Sequence, residues 1–99
     1  MATKVQRSSG NVFRDLGFDT QEAENLRLRS ELMIEIRKVM ESRGLTQAAA
    51  AKLFGVTQPR VSDLVRGRID LFSIDMLVKM LAHAGVQVRL VVKRRGNVA

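Results

Sequence analysis

The stretch from Thr46 to Arg68, TQAAAAKLFGVTQPRVSDLVRGR, holds the side chains of this chain best suited to meet a polyanion. The Gln58 amide can donate one hydrogen bond and accept another, the pattern that matches the edge of adenine. Arg60 and Arg66 are permanently charged forks suited to guanine or to phosphate. Ser62 can meet either a base or the backbone. Asp63 is useful on such a face only by accepting from a cytosine amine or by pairing with a neighbouring arginine, and the pairing is the expectation. Pro59 offers no donor, so it is left with apolar contact to a thymine methyl. Arg68, which follows Gly67, is placed for phosphate, as are Lys52 and Arg43.

Two short helices are needed to present these groups. Thr46 can cap the first, four successive alanines at 48 to 51 propagate it, and Gly55 ends it in a left-handed conformation. Thr57 can cap the second, with Pro59 in its first turn where a missing N–H costs nothing. Val61, Leu64 and Val65 then face inward. Gln58, Pro59, Ser62, Asp63 and Arg66 face outward, with Arg60 beside them. The small Ala51 lets the two helices cross closely.

Around this pair the chain reads as one mainly α-helical domain of 99 residues, with a compact radius of roughly 13 Å. Residues 1–10 are polar and read as a flexible tail. Residues 11–18, NVFRDLGF, carry two of the four Phe and must dock somewhere, either on the domain's own core or on a partner. Leu28, Leu32, Ile36, Val39 and Met40 mark an amphipathic helix from Thr20 to Arg43, with Asp19 or Thr20 as cap and Gly44 as stop. Ser73 opens a later helix to Ala84, with Ile74, Leu77, Val78 and Leu81 on one face. From 86 to 93, Val86, Val88, Leu90 and Val92 alternate with other residues, the period of a β-strand. Such a strand must pair with its copy in a second subunit or with Asn11 to Phe13, so these four residues are candidates for dimerisation. Residues 94–99 read as a basic tail.

Lys and Arg outnumber Asp and Glu by 17 to 10, a net charge of +7. The distribution is uneven: Asp19 to Ser42 carries −2, whereas Arg43 to Arg68 carries +4. Polyanions are therefore expected at the two short helices. Enzymatic chemistry is not expected, because there is no Cys, one His and no Gly-rich phosphate loop, and no cofactor or metal is implied. His83 lacks further ligands at metal spacing and reads as structural or exposed. The five methionines, Met1, Met33, Met40, Met76 and Met80, fit helix faces as core. Single-stranded RNA would call for stacking aromatics, yet Trp and Tyr are absent. No apolar run long enough to span a membrane occurs, and the expected location is cytoplasmic.

Counted from Gln47, the small Ala51, the turn Gly55 and the apolar Val61 and Leu64 fall at the fifth, ninth, fifteenth and eighteenth places. With Leu45-Thr46-Gln47 before them and Arg66-Gly67 after, they resemble the helix-turn-helix of the phage-repressor (Xre) family. That resemblance implies a lambda-repressor-like bundle of four to five helices. It gives Gln58 a base contact and Gln47 a backbone contact, while Pro59 departs from the polar residue many phage repressors carry. Over residues 10 to 93, NVFRDLGF, the long helix, LTQ, the Gln-Pro-Arg-Val-Ser run and the Val-rich end together look like HigA-type antitoxins. This wider resemblance implies a homodimer on a palindromic operator of double-stranded DNA, repressing its own operon and neutralising a RelE/HigB-like toxin. Solitary Xre-type repressors share the architecture, and a protein-binding module that leaves the basic face idle is a further alternative.

Overall fold

The computed structural model describes residues 11–94, so the expected tail at 1–10 and most of the one at 94–99 lie outside the described residues. Five helices follow one another: α1 (Val12–Asp15), α2 (Thr20–Ser42), α3 (Gln47–Phe54), α4 (Gln58–Val65) and α5 (Ile74–His83), with a single 3-10 turn, Ile69–Leu71, before α5. Their beginnings are set by side chains that accept a backbone N–H. Asp19 accepts from Glu22, Thr46 from Ala49, Thr57 from Arg60 and Ser73 from Met76, at distances of 2.8 to 3.3 Å. Of the two expected caps for α2, Asp19 is the one used.

The core lies where α2, α3, α4 and α5 meet. Ile36, Phe54, Val61, Leu64, Phe72, Leu77 and Leu81 are the large side chains removed almost entirely from water. Each contributes about 1.5–3 kcal/mol by burial. Met33, Met40 and Met80 complete this core, while Met76 packs on its edge. On α2 the inward line runs through Met33, Ile36 and Met40, with Leu32 and Val39 at its flank. The apolar arc of α2 is thus wider than the core it meets, and Leu28 is left half-buried on the other side, in a groove shared with Ile74, Val78 and Leu90 of α5 and the C-terminal segment.

Helix α2, about 34 Å long, extends well past this core, and its first turns have a cover of their own. Residues 11–18 fold as a hook: Asn11 caps α1 by accepting from Phe13 and Arg14, and its Nδ2 donates to the Ala23 carbonyl of α2 at 3.2 Å. Phe13 and Phe18 meet edge to face. The hook buries Ala23 and Leu26, neither of which belongs to the main core, so residues 11–18 cover a satellite and not the central cluster. Val12, Leu16 and Phe18 remain exposed.

The expected C-terminal β-strand is absent. Residues 86–94 have no regular secondary structure, and the described residues form an all-helical fold. The N–H of Val86 donates to the Leu81 carbonyl, so the segment leaves α5 as the continuation of its last turn. Beyond it, Leu90, Val91 and Val92 are each about four-fifths exposed, and no inner face separates from an outer one. The alternation in the sequence is real, but period two becomes a strand only against another backbone. The intrachain candidate, Asn11 to Phe13, is occupied in starting α1.

Because Asn11 is the one buried polar residue among the described residues and joins hook to helix, Asn11→Ala should cost about 1–2 kcal/mol. The loss should fall on the hook: limited proteolysis is expected to cleave within residues 11–18, while the helical circular dichroism of the rest persists. Unchanged protection of the hook would show that the cap does not hold it.

Candidate nucleic-acid interface

The geometry of α3 and α4 follows from a few small or apolar positions. Ala50 and Ala51 are buried where α3 packs on α4 and α5, and a larger side chain there would push the helices apart. Gly55, with φ of 69°, turns the chain between them. Val61 and Leu64, each 1% exposed, fasten α4 from beneath. Val65 is half-buried. What remains of α4 faces water.

On that face Gln58 and Pro59 are exposed, and Ser62 and Asp63 are half-buried. Among the described residues no hydrogen bond or ion pair engages the side chain of Gln58, Ser62 or Arg66. The expected partner for Asp63 is not found, since no arginine within the described residues pairs with its carboxylate. Arg60 is placed differently from its neighbours. Its Nη1 donates to the Leu71 carbonyl at 3.3 Å, and its guanidinium lies 5.6 Å from the centre of the Phe72 ring. In this state it is a strut between α4 and the 3-10 turn, not a free donor.

Arg43, Lys52, Arg66 and Arg68 are exposed and take no part in an ion pair among the described residues. Gln47, at the start of α3, is half-buried beside Arg37, Glu41, Leu45 and Val65. The situation on α2 is the reverse. Arg27 bridges Glu24 and Glu31, and Lys38 approaches Glu35 at 3.5 Å. The hydrogen bond that Arg27 donates to Glu24 raises its guanidinium above the ordinary pKa. Two of the four bases on α2, Arg27 and Lys38, are thereby paired locally, whereas among the described residues the bases around α3 and α4 are in no ion pair.

Two positioning contacts escape a reading of the sequence. Arg29 of α2 donates through Nη1 to the carbonyls of Ile69 and Phe72, at 3.1 and 3.2 Å, and so fixes the turn that also holds Arg60. His83 of α5 reaches the Leu53 carbonyl of α3. Both join residues at least 30 positions apart, and nothing local signals them. Among the described residues no cluster of His, Cys, Asp and Glu is arranged to hold a metal, and no helix is long and apolar enough to cross a membrane.

Comparison with known proteins agrees with this geometry. A solved structure described as belonging to the XRE family of transcriptional regulators superposes with a TM-score of 0.71 at 28% identity, over 79% of this chain and 88% of that one. No curated protein matches the sequence. A family model for the helix-turn-helix domain matches residues 12–93, and with α3, Gly55 and α4 forming that motif, the chain belongs to the helix-turn-helix domain family.

Proposed function

We propose that this protein is a sequence-specific DNA-binding transcriptional regulator whose helix α4 enters the major groove. One observation carries the reading: among the described residues, the outward face of α4 offers Gln58, Ser62 and Arg66 without hydrogen-bond or ion-pair partners for their side chains, beside basic residues that are in no ion pair there. Gln58, at the N-terminal end of α4, is the principal base reader, with Pro59, Ser62 and Asp63 alongside. Arg60 would have to leave Leu71 and Phe72 to read a base, so its role in the unbound protein is to hold α4. Gln47, Lys52, Arg66 and Arg68 meet the backbone and set the register.

We infer further that it acts as a homodimer on a palindromic site. The groove between α2 and α5 supports this, with Leu28, Ile74 and Val78 in its walls and Ile34, Val88 and Leu90 more exposed at its edge. Its rim carries Glu31 and Glu35 together with Lys38 and Arg89, no net charge, so a second copy related by a two-fold axis offers matching opposite charges. No residue of α3 or α4 lines it, so a partner there leaves the DNA face open. Val92 is exposed but does not line the groove, and Val86 packs on the core.

An antitoxin role is the narrower form of this proposal. It is supported by the resemblance in sequence and by the exposed Val12, Leu16 and Phe18 of the hook, which lie beside Asp15, Asp19 and Glu22 and suit a basic partner protein.

Three measurements test these statements. On a duplex selected by the wild type from a randomised library, Gln58→Ala should lose roughly 1–3 kcal/mol at one base step and relax preference there. Arg68→Ala should instead weaken all duplexes alike and reduce the salt slope by about one. Selection that yields no consensus would remove sequence-specific reading. In sedimentation experiments Leu90→Asp should turn a dimer into a monomer that keeps its fold, and a monomeric wild type at high concentration would dismiss the groove interface. Co-expression with the product of the neighbouring gene should give a complex that Leu16→Asp weakens; absence of any complex leaves the regulator without an antitoxin role.

A further inference from the structure

Helix α5 ends on the single histidine of the chain, and its ring returns to the turn between α3 and α4. His83 Nδ1 lies 2.9 Å from the Leu53 carbonyl oxygen. A carbonyl only accepts, so Nδ1 carries the proton and donates it, satisfying one of the carbonyls left open at the C-terminal end of α3. The same ring covers Gly55. A Cβ added at Gly55 would stand 2.9 Å from His83 Cδ2, closer than real Cβ atoms come, and 3.0 Å from Cγ and Nε2, so the imidazole would have to shift from its seat. At the other described left-handed glycines, Gly17, Gly44, Gly67 and Gly85, nothing lies within 4 Å of that position. Among the described glycines, only at the turn of the helix-turn-helix does another element occupy the glycine's missing side chain.

We propose that His83 is a positioning residue for DNA recognition: its ring seats on Gly55 and its Nδ1–H holds Leu53, which fixes how α4 leaves α3 and therefore how Gln58 is presented. Gly55 then answers two demands, the left-handed backbone and the approach of the imidazole. Asparagine would meet the first demand, since it tolerates that conformation, but not the second. Val61 and Leu64 fasten α4 along its length, and at the turn, where Val56 packs on the edge of the core and its N–H donates to the Ala51 carbonyl, His83 adds the side-chain contact to Leu53 and Gly55. The functional part of the proposal rests on the reading of α4 as the helix that meets DNA; the contact itself does not.

The test has two parts, both on the full chain. Chemical denaturation of wild type, Gly55→Ala, His83→Ala and the double variant forms a cycle. Gly55→Ala should be markedly less damaging when His83 is absent, because only the backbone strain remains, and additive effects would overturn the contact. The second part compares binding to the duplex selected by the wild type with binding to a scrambled duplex of the same composition. His83→Ala should lower the selected-to-scrambled ratio about tenfold with scrambled binding unchanged. His83→Asn, whose amide can donate to Leu53, should recover much of that ratio. A merely structural histidine would lower stability and leave the ratio alone. A coupled cycle with an unchanged ratio overturns the positioning role by itself. A wild type that prefers no duplex overturns the DNA reading together with it.

Discussion

An eight-residue helix does not stand alone in water, because nucleation costs more than so few backbone hydrogen bonds return. The position of α4 therefore depends on the burial of Val61 and Leu64 against Phe54, Phe72 and the inner face of α5. The presentation of the outer face rests first on that burial. The side chains that fasten α4 and those that are free to touch a ligand occupy opposite sides of the same two turns. Ala50 and Ala51 make the arrangement possible by letting α3 come close enough to share the core.

The beginnings and ends of the helices were legible because their causes are local. Thr46, Thr57 and Ser73 cap as residues of their type do, and Gly44, Gly55 and Gly85 all adopt positive φ. The helix-turn-helix was legible for the same reason, since small, turn and apolar positions recur at fixed spacing. What could not be read depends on contacts across the fold. Arg60 looks like a free donor until Leu71 and Phe72 are brought beneath it. The Asp63 carboxylate looks as if an arginine must answer it, yet none does within the described residues. Residues 86–93 show most plainly how a pattern differs from an element: alternation states which conformation would suit the side chains, not whether a second backbone is available. The hook was legible as a segment that must dock, but not as a helix capped by Asn11, which takes its hold partly from Ala23.

Net charge gained meaning only when divided by compensation. Helix α2 is rich in acids and bases that answer each other a turn apart, and exposed pairs of this kind contribute little stability. Around α3 and α4 no cation is in an ion pair among the described residues, and Asp63 alone offsets the charge of Arg43 to Arg68. Such a distribution, more than the total charge, is what directs a field outward.

The satellite beneath the hook bears on how the two ends of the molecule communicate. Ala23 and Leu26 are buried by residues 11–18, and none of these belongs to the cluster that supports α4. Unfolding of one apolar island therefore need not loosen the other, and hydrogen exchange at the two would report separate opening energies. A ligand held by the hook would touch residues packed on Ala23 and Leu26, outside the cluster that supports α4, and a ligand shifts a distant equilibrium only through differential affinity for its states. Coupling between the ends would have to come from bulk and orientation, with α2 acting as a rigid lever that decides what else fits beside an occupied duplex.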